Sequence, residues 1–436
     1  MHIHLLYSFG LNILLYLLSC PITHSLSLVQ LLVPDQYFIR IFFYCPAFEK
    51  ISKIDVFSQR RHHIILSGID TSLDFVKSNI LSFSFFKPKL KFASIQEVRN
   101  LVNHSAKWYQ DMEKVPFFLE NETHGNHKCY YCPFQFSNFP NANSSPHDVL
   151  LSFMAHHITN SLTFVRSFRT ISKAALIIFT DNQALSLLNE QMKESFNNCG
   201  TYWINMEIIE SKYDWNLPAA RMFIFFSFLE LHWNKFYRAA FCDLGDSIFQ
   251  GDPFTTDITQ SSLILQTECA IFYQSAINME WYTKFDPSQS ISFFKPVING
   301  GFVIGGSEIM LDFLCLFSRL LIPYYTQDYP GIDQVLMNFL AYNQALKQYG
   351  IYFTILPDSK TPFKSFTLCH QSTEYSKEKG IFLSKSKRRL SFIHQFDRNC
   401  KWLKFISQEL CPSLGSWHLH AFGTARYTLD GLSCIF

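Results

Sequence analysis

The chain has 436 residues, enough for two or three domains or for one large domain with additions. It is 48% hydrophobic, with 46 Phe against only 16 Gly, which excludes a disordered chain and requires a phenylalanine-rich core. The 37 Lys and Arg nearly balance the 35 Asp and Glu and no long basic run stands out, so no nucleic-acid partner is expected and the composition points to a small or neutral ligand.

Residues 5–20 form an uncharged apolar stretch. As a helix it would reach roughly 24 Å at ~1.5 Å per residue, short of the ~30 Å hydrocarbon core of a membrane. Residues 1–25 therefore suit a signal peptide or a marginal signal anchor, with membrane association through the N-terminus in the second case. Residues 26–148 read as a stem or accessory region. They contain the sequons at Asn103, Asn121 and Asn143 and end in the polar stretch FSNFPNANSSPHD, which reads as a linker and implies that the domain after it folds alone. Clustered sequons and twelve cysteines suit the lumen of the endoplasmic reticulum or Golgi, membrane-anchored or secreted. In HGNHKCYYC, His124, His127, Cys129 and Cys132 are possible zinc ligands, although a nine-residue span is tight for one tetrahedral ion and disulfide pairings compete.

From residue 149 strands and helices alternate. AALIIFTD ends in Asp181 and has the continuous apolar run of a strand buried on both faces. LLNEQMKESFNNCG follows as a helix and YWINMEIIE as a strand. NLPAARMFIFFSFLELHW is a helix apolar nearly all round, hence buried, and its one cation at the start, Arg221, needs a carboxylate or a ligand phosphate. The strand KFYRAAFC then leads into an acidic turn. After it come the strand SLILQTE, the segment NGGFVIGG, helices over 308–321 and 332–346, and the strand IYFTILP. The pattern predicts an α/β fold, a mostly parallel central sheet with helices on both faces and its ligand site beyond the carboxyl ends of the strands.

Three segments carry chemistry. In FYRAAFCDLGDSIFQGDPF, Asp243 ends a strand and Gly245 lets the chain fold back, so Asp246 can join it on one divalent cation. Without an ion the two acids would repel, so replacing either by Asn is expected to cost little stability. Asp252 structures the turn before Pro253. NGGFVIGG packs four glycines into seven residues, which requires sharp turns or a close approach to the backbone. FIHQFDR delivers His394, a possible metal ligand, beside Asp397 and Arg398.

The order of these parts, from Asp181 through the Arg221 helix, FCDLGDSIFQGDPF, INGGFVIGG, GIDQVLMNF and FIHQFDR, resembles the nucleotide-diphospho-sugar transferases of the GT-A fold. The resemblance covers a catalytic domain over 149–411 and leaves 412–436 as a tail. It implies a glycosyltransferase that moves a sugar from a nucleotide-diphospho-sugar donor to a glycan, protein or lipid hydroxyl. It further implies manganese or magnesium held by Asp243, Asp246 and His394, and donor contacts from Asp181, Arg221, Asn299, Gly300 and Gly301. Asp333 matches the acid that faces the acceptor. The acidic motif is Asp-Leu-Gly-Asp where the family pattern is Asp-x-Asp, and a non-catalytic sugar- or partner-binding protein on a degenerate transferase fold is the rival reading.

Overall fold

The computed structural model describes most of residues 92–411, the longest gaps being 116–128, 133–142 and 208–216, and the backbone of five short strands between residues 14 and 66. The chain divides into two compact units, Met1–Leu90 with Ala276–Lys295, and Lys91–Ser275 with Pro296–Phe436. In the first, β1 (Leu14–Ser19) pairs antiparallel with β2 (Ser27–Leu32). Strands β3 (Ile41–Phe43), β4 (Ser52–Val56) and β5 (Ile64–Leu66) form a small antiparallel sheet. The rest of the expected leader, the sequons at Asn103 and Asn121, His124, His127 and the tail from 412 lie outside the described residues. No helix among the described residues is long and apolar enough to cross a membrane.

The second unit is built on β6 (Asp148–Met154), β7 (Ala175–Thr180), β8 (Thr201–Asn205), β9 (Arg238–Asp243), β11 (Leu263–Ile271), β12 (Pro296–Gly306) and β13 (Thr354–Leu356), in the order β13-β11-β12-β9-β6-β7-β8. The fold is α/β and the sheet mostly parallel, as its alternating pattern predicts. It is nevertheless mixed, because β12 runs antiparallel to both β11 and β9. The connection between β11 and β12, residues 272–295 with the helix Ala276–Phe285, is long enough for a crossover, so its length does not decide the direction.

Alternate residues of each strand serve opposite faces. Leu150, Leu176, Ile178, Ala240, Cys242, Phe302 and Ile304 join one cluster with Phe164, Phe168 and Phe196 from the helices Ser161–Ile171 and Glu190–Asn198. On the other face Phe179 and Phe241 meet Phe225, and Phe179 also meets Phe228, from the helix Leu217–His232. That helix is apolar all round because it is covered twice: Ser318 of the helix Ser307–Tyr325 donates to its Met222 carbonyl, and Phe223 packs edge-on against Tyr325. Local signals set the helix ends. Asp181 and Asn189 cap successive helices through Ala184 N and Met192 N, and Gly200 takes the left-handed conformation that follows the second.

The second unit runs from Lys91, so residues 92–115 of the expected stem pack within it. Ala93 exchanges hydrogen bonds with Arg319, Arg99 pairs with Glu230, and His232 bonds the Met112 carbonyl. Cys129 is bonded to Cys199 and Cys132 to Cys411, so these sulfurs do not serve zinc. Both bridges flank the helix Ser161–Ile171: Arg169 donates to the Cys199 carbonyl, and Thr170 accepts from Cys132 N. Cys242 and Cys315 are free thiols.

Replacing Cys129 and Cys199 together by Ser should lower unfolding stability by about 2–5 kcal/mol, because the bridge closes a long loop in the unfolded chain. Denaturant unfolding of the full chain measures it, and an unchanged midpoint with unchanged slope would show that this bridge contributes nothing.

Candidate metal centre

Strands β6, β7 and β8 step one way across the sheet while β9 lies on the other side of β6, so the topology reverses between β6 and β9. Open α/β sheets bind ligands in the crevice at such a point, beyond the carboxyl ends. Asp243 is the last residue of β9. The turn after it is held by Asn160, whose side-chain amide donates to the Gly245 carbonyl at 2.8 Å and whose backbone is left-handed.

The turn leads into β10 (Ser247–Phe249), which pairs antiparallel with β17 (Phe392–His394) so that Ser247 lies opposite His394. Phe392 stacks on Phe302 at 4.4 Å and packs against Phe249, while the Phe396 amide bonds the Asp246 carbonyl. The phenylalanine core thereby fixes His394, which lies on the same side of β17 as Phe392.

The result is a compact donor set. His394 Nε2 is 3.1 Å from Asp243 Oδ2 and 3.3 Å from Asp246 Oδ1, and all three ligand atoms lie within 4.8 Å of one another. A cation held at ~2.1 Å would separate adjacent ligands by about 3 Å, so the two distances to His394 fit one ion. Asp246 and His394 are buried and Asp243 is half-buried. Two carboxylates and one imidazole leave coordination positions for ligand oxygens.

Gly301 explains the glycine-rich segment. A Cβ there would lie 2.2 Å from His394 Cε1 and 2.8 Å from Asp243 Oδ2, so only glycine lets β12 approach the pair. At the far end of the strand, a Cβ on Gly306 would lie 2.1 Å from the Gln260 carbonyl oxygen, a packing role remote from the acids.

Arg221 takes carboxylates, not an open crevice. Its guanidinium bonds Asp243 and reaches Asp333 Oδ2 and the Gly300 carbonyl, each at 3.3 Å. Burial pushes its pKa down and Asp333 counters that. The acids at 243 and 246 are therefore not an isolated repelling pair: Asp243 has Arg221, and Asp246 has Arg398 at 3.6 Å. Burial alone would lower the Arg398 pKa, but Asp397, Asp246 and Glu268 together raise it.

The structure brings together Asp243, Asp246, His394, Arg221, Asn299, Gly300, Gly301 and Asp333. Asp181 stands apart, following β7, two strands from β9 and so roughly 10 Å across the sheet. There it caps a helix and pairs with His156 Nδ1 at 2.7 Å. Asp252 accepts from Ser144 N and Phe254 N, in keeping with a turn role. Two residues escaped sequence reasoning: Glu268, which accepts from Asn299 at 3.1 Å, and Gln334, which accepts from Gly300 N at 2.9 Å. Glu268 follows Gln266 and Thr267 within β11, and a carboxylate in mid-strand was the one available signal. No protein-family model and no curated protein matches the chain.

Gly301→Ala should push His394 off Asp243 and cost about 1–3 kcal/mol as an overpacked core position. Thermal unfolding and the ring resonances of His394 would report it, and an Ala variant with wild-type stability and shifts would show that the approach is looser than described. Asp252→Asn should cost a similar ~1–3 kcal/mol by turning an amide donor towards Ser144 N or Phe254 N, with the His394 resonances unmoved.

Proposed function

We propose that the protein is a glycosyltransferase that takes a sugar from a nucleotide-diphospho-sugar and passes it to an acceptor hydroxyl with help from manganese or magnesium. The observation that carries this is the Asp243–Asp246–His394 set at the carboxyl end of β9, at the topological reversal, with the Gly301 backbone against it. The arrangement supports the GT-A resemblance, because residues that it names far apart in sequence lie together.

Asp243, Asp246 and His394 would hold the cation, and the local charge suits one. Among the ion pairs and electrostatic partners described, Asp243, Asp246, Asp333, Asp397 and Glu268 meet the guanidiniums of Arg221 and Arg398 and the imidazole of His394. When bound, a divalent ion supplies Lewis acidity to the leaving diphosphate. Arg221 and Arg398 would add fixed positive charge where negative charge develops, and the burial of Arg221 spares it reorganisation. Asp333, oriented by Arg221, would hold or deprotonate the acceptor hydroxyl. Asp181 would face the nucleoside side of the donor. The bridges Cys129–Cys199 and Cys132–Cys411 support folding in an oxidising compartment such as the endoplasmic reticulum or Golgi lumen.

One observation favours the rival: Arg221 already pairs with Asp243 and Asp333, as a purely structural ion-pair network would have it. In that reading the protein binds a sugar or a partner without turnover. Titration calorimetry with manganese and uridine or guanosine diphosphate separates the two. Wild type should bind nucleotide only with metal, and Asp243→Asn and Asp246→Asn should each weaken that binding by at least ~10-fold. The variant at 243 should also lose ~1–3 kcal/mol of stability, because it removes one partner from a buried guanidinium. Absence of metal-dependent nucleotide binding in wild type would leave the structural network standing.

A further inference from the structure

Strand β12 does not pair evenly with β11. Leu265 lies opposite Val303, yet Thr267 lies opposite Ile298, so five residues of β12 answer two of β11. The three extra residues fall at Asn299, Gly300 and Gly301. They make a bulge, and bulges re-aim a strand at the cost of its ladder bonds. Here the bulge carries Gly301 against Asp243 and His394. What holds it is a set of side-chain bonds that converge on one buried carboxylate of β11.

Glu268 Oε1 accepts from the Asn299 amide at 3.1 Å and from the Gln334 amide at 3.2 Å. The other end of each amide then accepts from the bulge: Asn299 Oδ1 takes Gly301 N at 2.8 Å, and Gln334 Oε1 takes Gly300 N at 2.9 Å. An Asn or Gln amide can sit either way round, and its environment decides which. An ionised carboxylate only accepts, so it draws both NH2 groups to itself and leaves both carbonyl oxygens for the glycine amides. Without that acceptor, either amide could turn and set a donor against a glycine N–H. On the opposite side Arg221 reaches the Gly300 carbonyl, so the bulge is gripped from two directions.

We propose that Glu268 is a positioning residue that sets the Asn299–Gly301 bulge against the Asp243–His394 pair by fixing the orientation of the Asn299 and Gln334 amides. The consequence for metal binding rests on the reading under Proposed function, whereas the consequence for the bulge does not. Burial raises the Glu268 pKa, and its bonds to Asn299 and Gln334, together with His394 and Arg398, oppose the rise. A carboxylate kept in so costly a place needs such partners.

The test compares Glu268→Leu, which removes the acceptor at similar size, with Glu268→Gln, which keeps one acceptor oxygen for both amides. In the full chain, amide hydrogen exchange at Gly300 and Gly301 should speed up by at least ~10-fold in the Leu variant and by less than ~3-fold in the Gln variant, with other amides of β12 as the control for global loss of stability. Manganese affinity, read from the electron paramagnetic resonance of the free ion, should fall ~10-fold or more in the Leu variant and recover in the Gln variant, as expected for a residue that supports metal ligands. Unchanged glycine exchange in the Leu variant, or exchange in the Gln variant as fast as in the Leu variant, overturns the proposal. Were wild type to bind no manganese, the metal reading would fall by itself and the exchange measurement would still decide the role of Glu268.

Discussion

The contact between the Gly301 backbone and the Asp243–His394 pair constrains everything around it. Three segments from distant parts of the chain must meet within the space one Cβ would fill. That meeting requires β12 to enter between β11 and β9, in the antiparallel sense, so that its first half lies at the carboxyl end of β9. It also requires the small sheet of β10 and β17 to deliver His394 opposite Ser247. The stacking of Phe392 on Phe302 ties the two sheets together next to the acids, so the apolar core and the polar site share residues two positions apart.

Charge is the second constraint. Carboxylates and guanidiniums are expensive to bury, and they persist only where partners and hydrogen bonds offset the loss of water. Arg221 is the hinge of this balance, since it emerges from an otherwise apolar helix and bonds Asp243, Asp333 and a bulge carbonyl together. Its geometry serves a structural network and a diphosphate site equally well. What tips the proposed reading towards a cation is the set of three donor atoms spaced for one ion.

The disulfides act on a different link. They join the Cys129–Cys132 segment to residues 199 and 411, which lie at the two ends of a long stretch of the sheet domain. Arg166 and Arg169 reinforce the same seam, donating to the carbonyls of Tyr130 and Cys199. The helix Ser161–Ile171 is thus held by hydrogen bonds to the disulfide-linked segments on one side and by the phenylalanine cluster on the other. This is the helix preceded by Asn160, which grips the acidic turn, so the stapled seam and the site are neighbours along the chain.

Much of this was legible in the sequence because it depends on local rules. The continuous apolar run before Asp181, the all-apolar helix bearing Arg221, the acids after β9 and the glycine cluster each announce a local need: burial, a counter-charge, a turn, a close approach. Four other things were decided only in three dimensions. The direction of β12 depends on which neighbours it pairs with, and a strand pattern of period two reads the same both ways. The partners of Cys129 and Cys132, 70 and 279 residues away, follow from where the chain is brought back. The packing of residues 92–115 buries Val98, Trp108, Tyr109 and Met112, but the two helices that carry them have 7 residues each, too short to show a sustained period. Glu268 has no motif at all: it is the one acid of a strand in which Gln266 and Thr267 precede it, and its meaning comes from the bulge opposite, because a hydrogen-bond acceptor acquires a role only when the fold brings donors within ~3 Å of it.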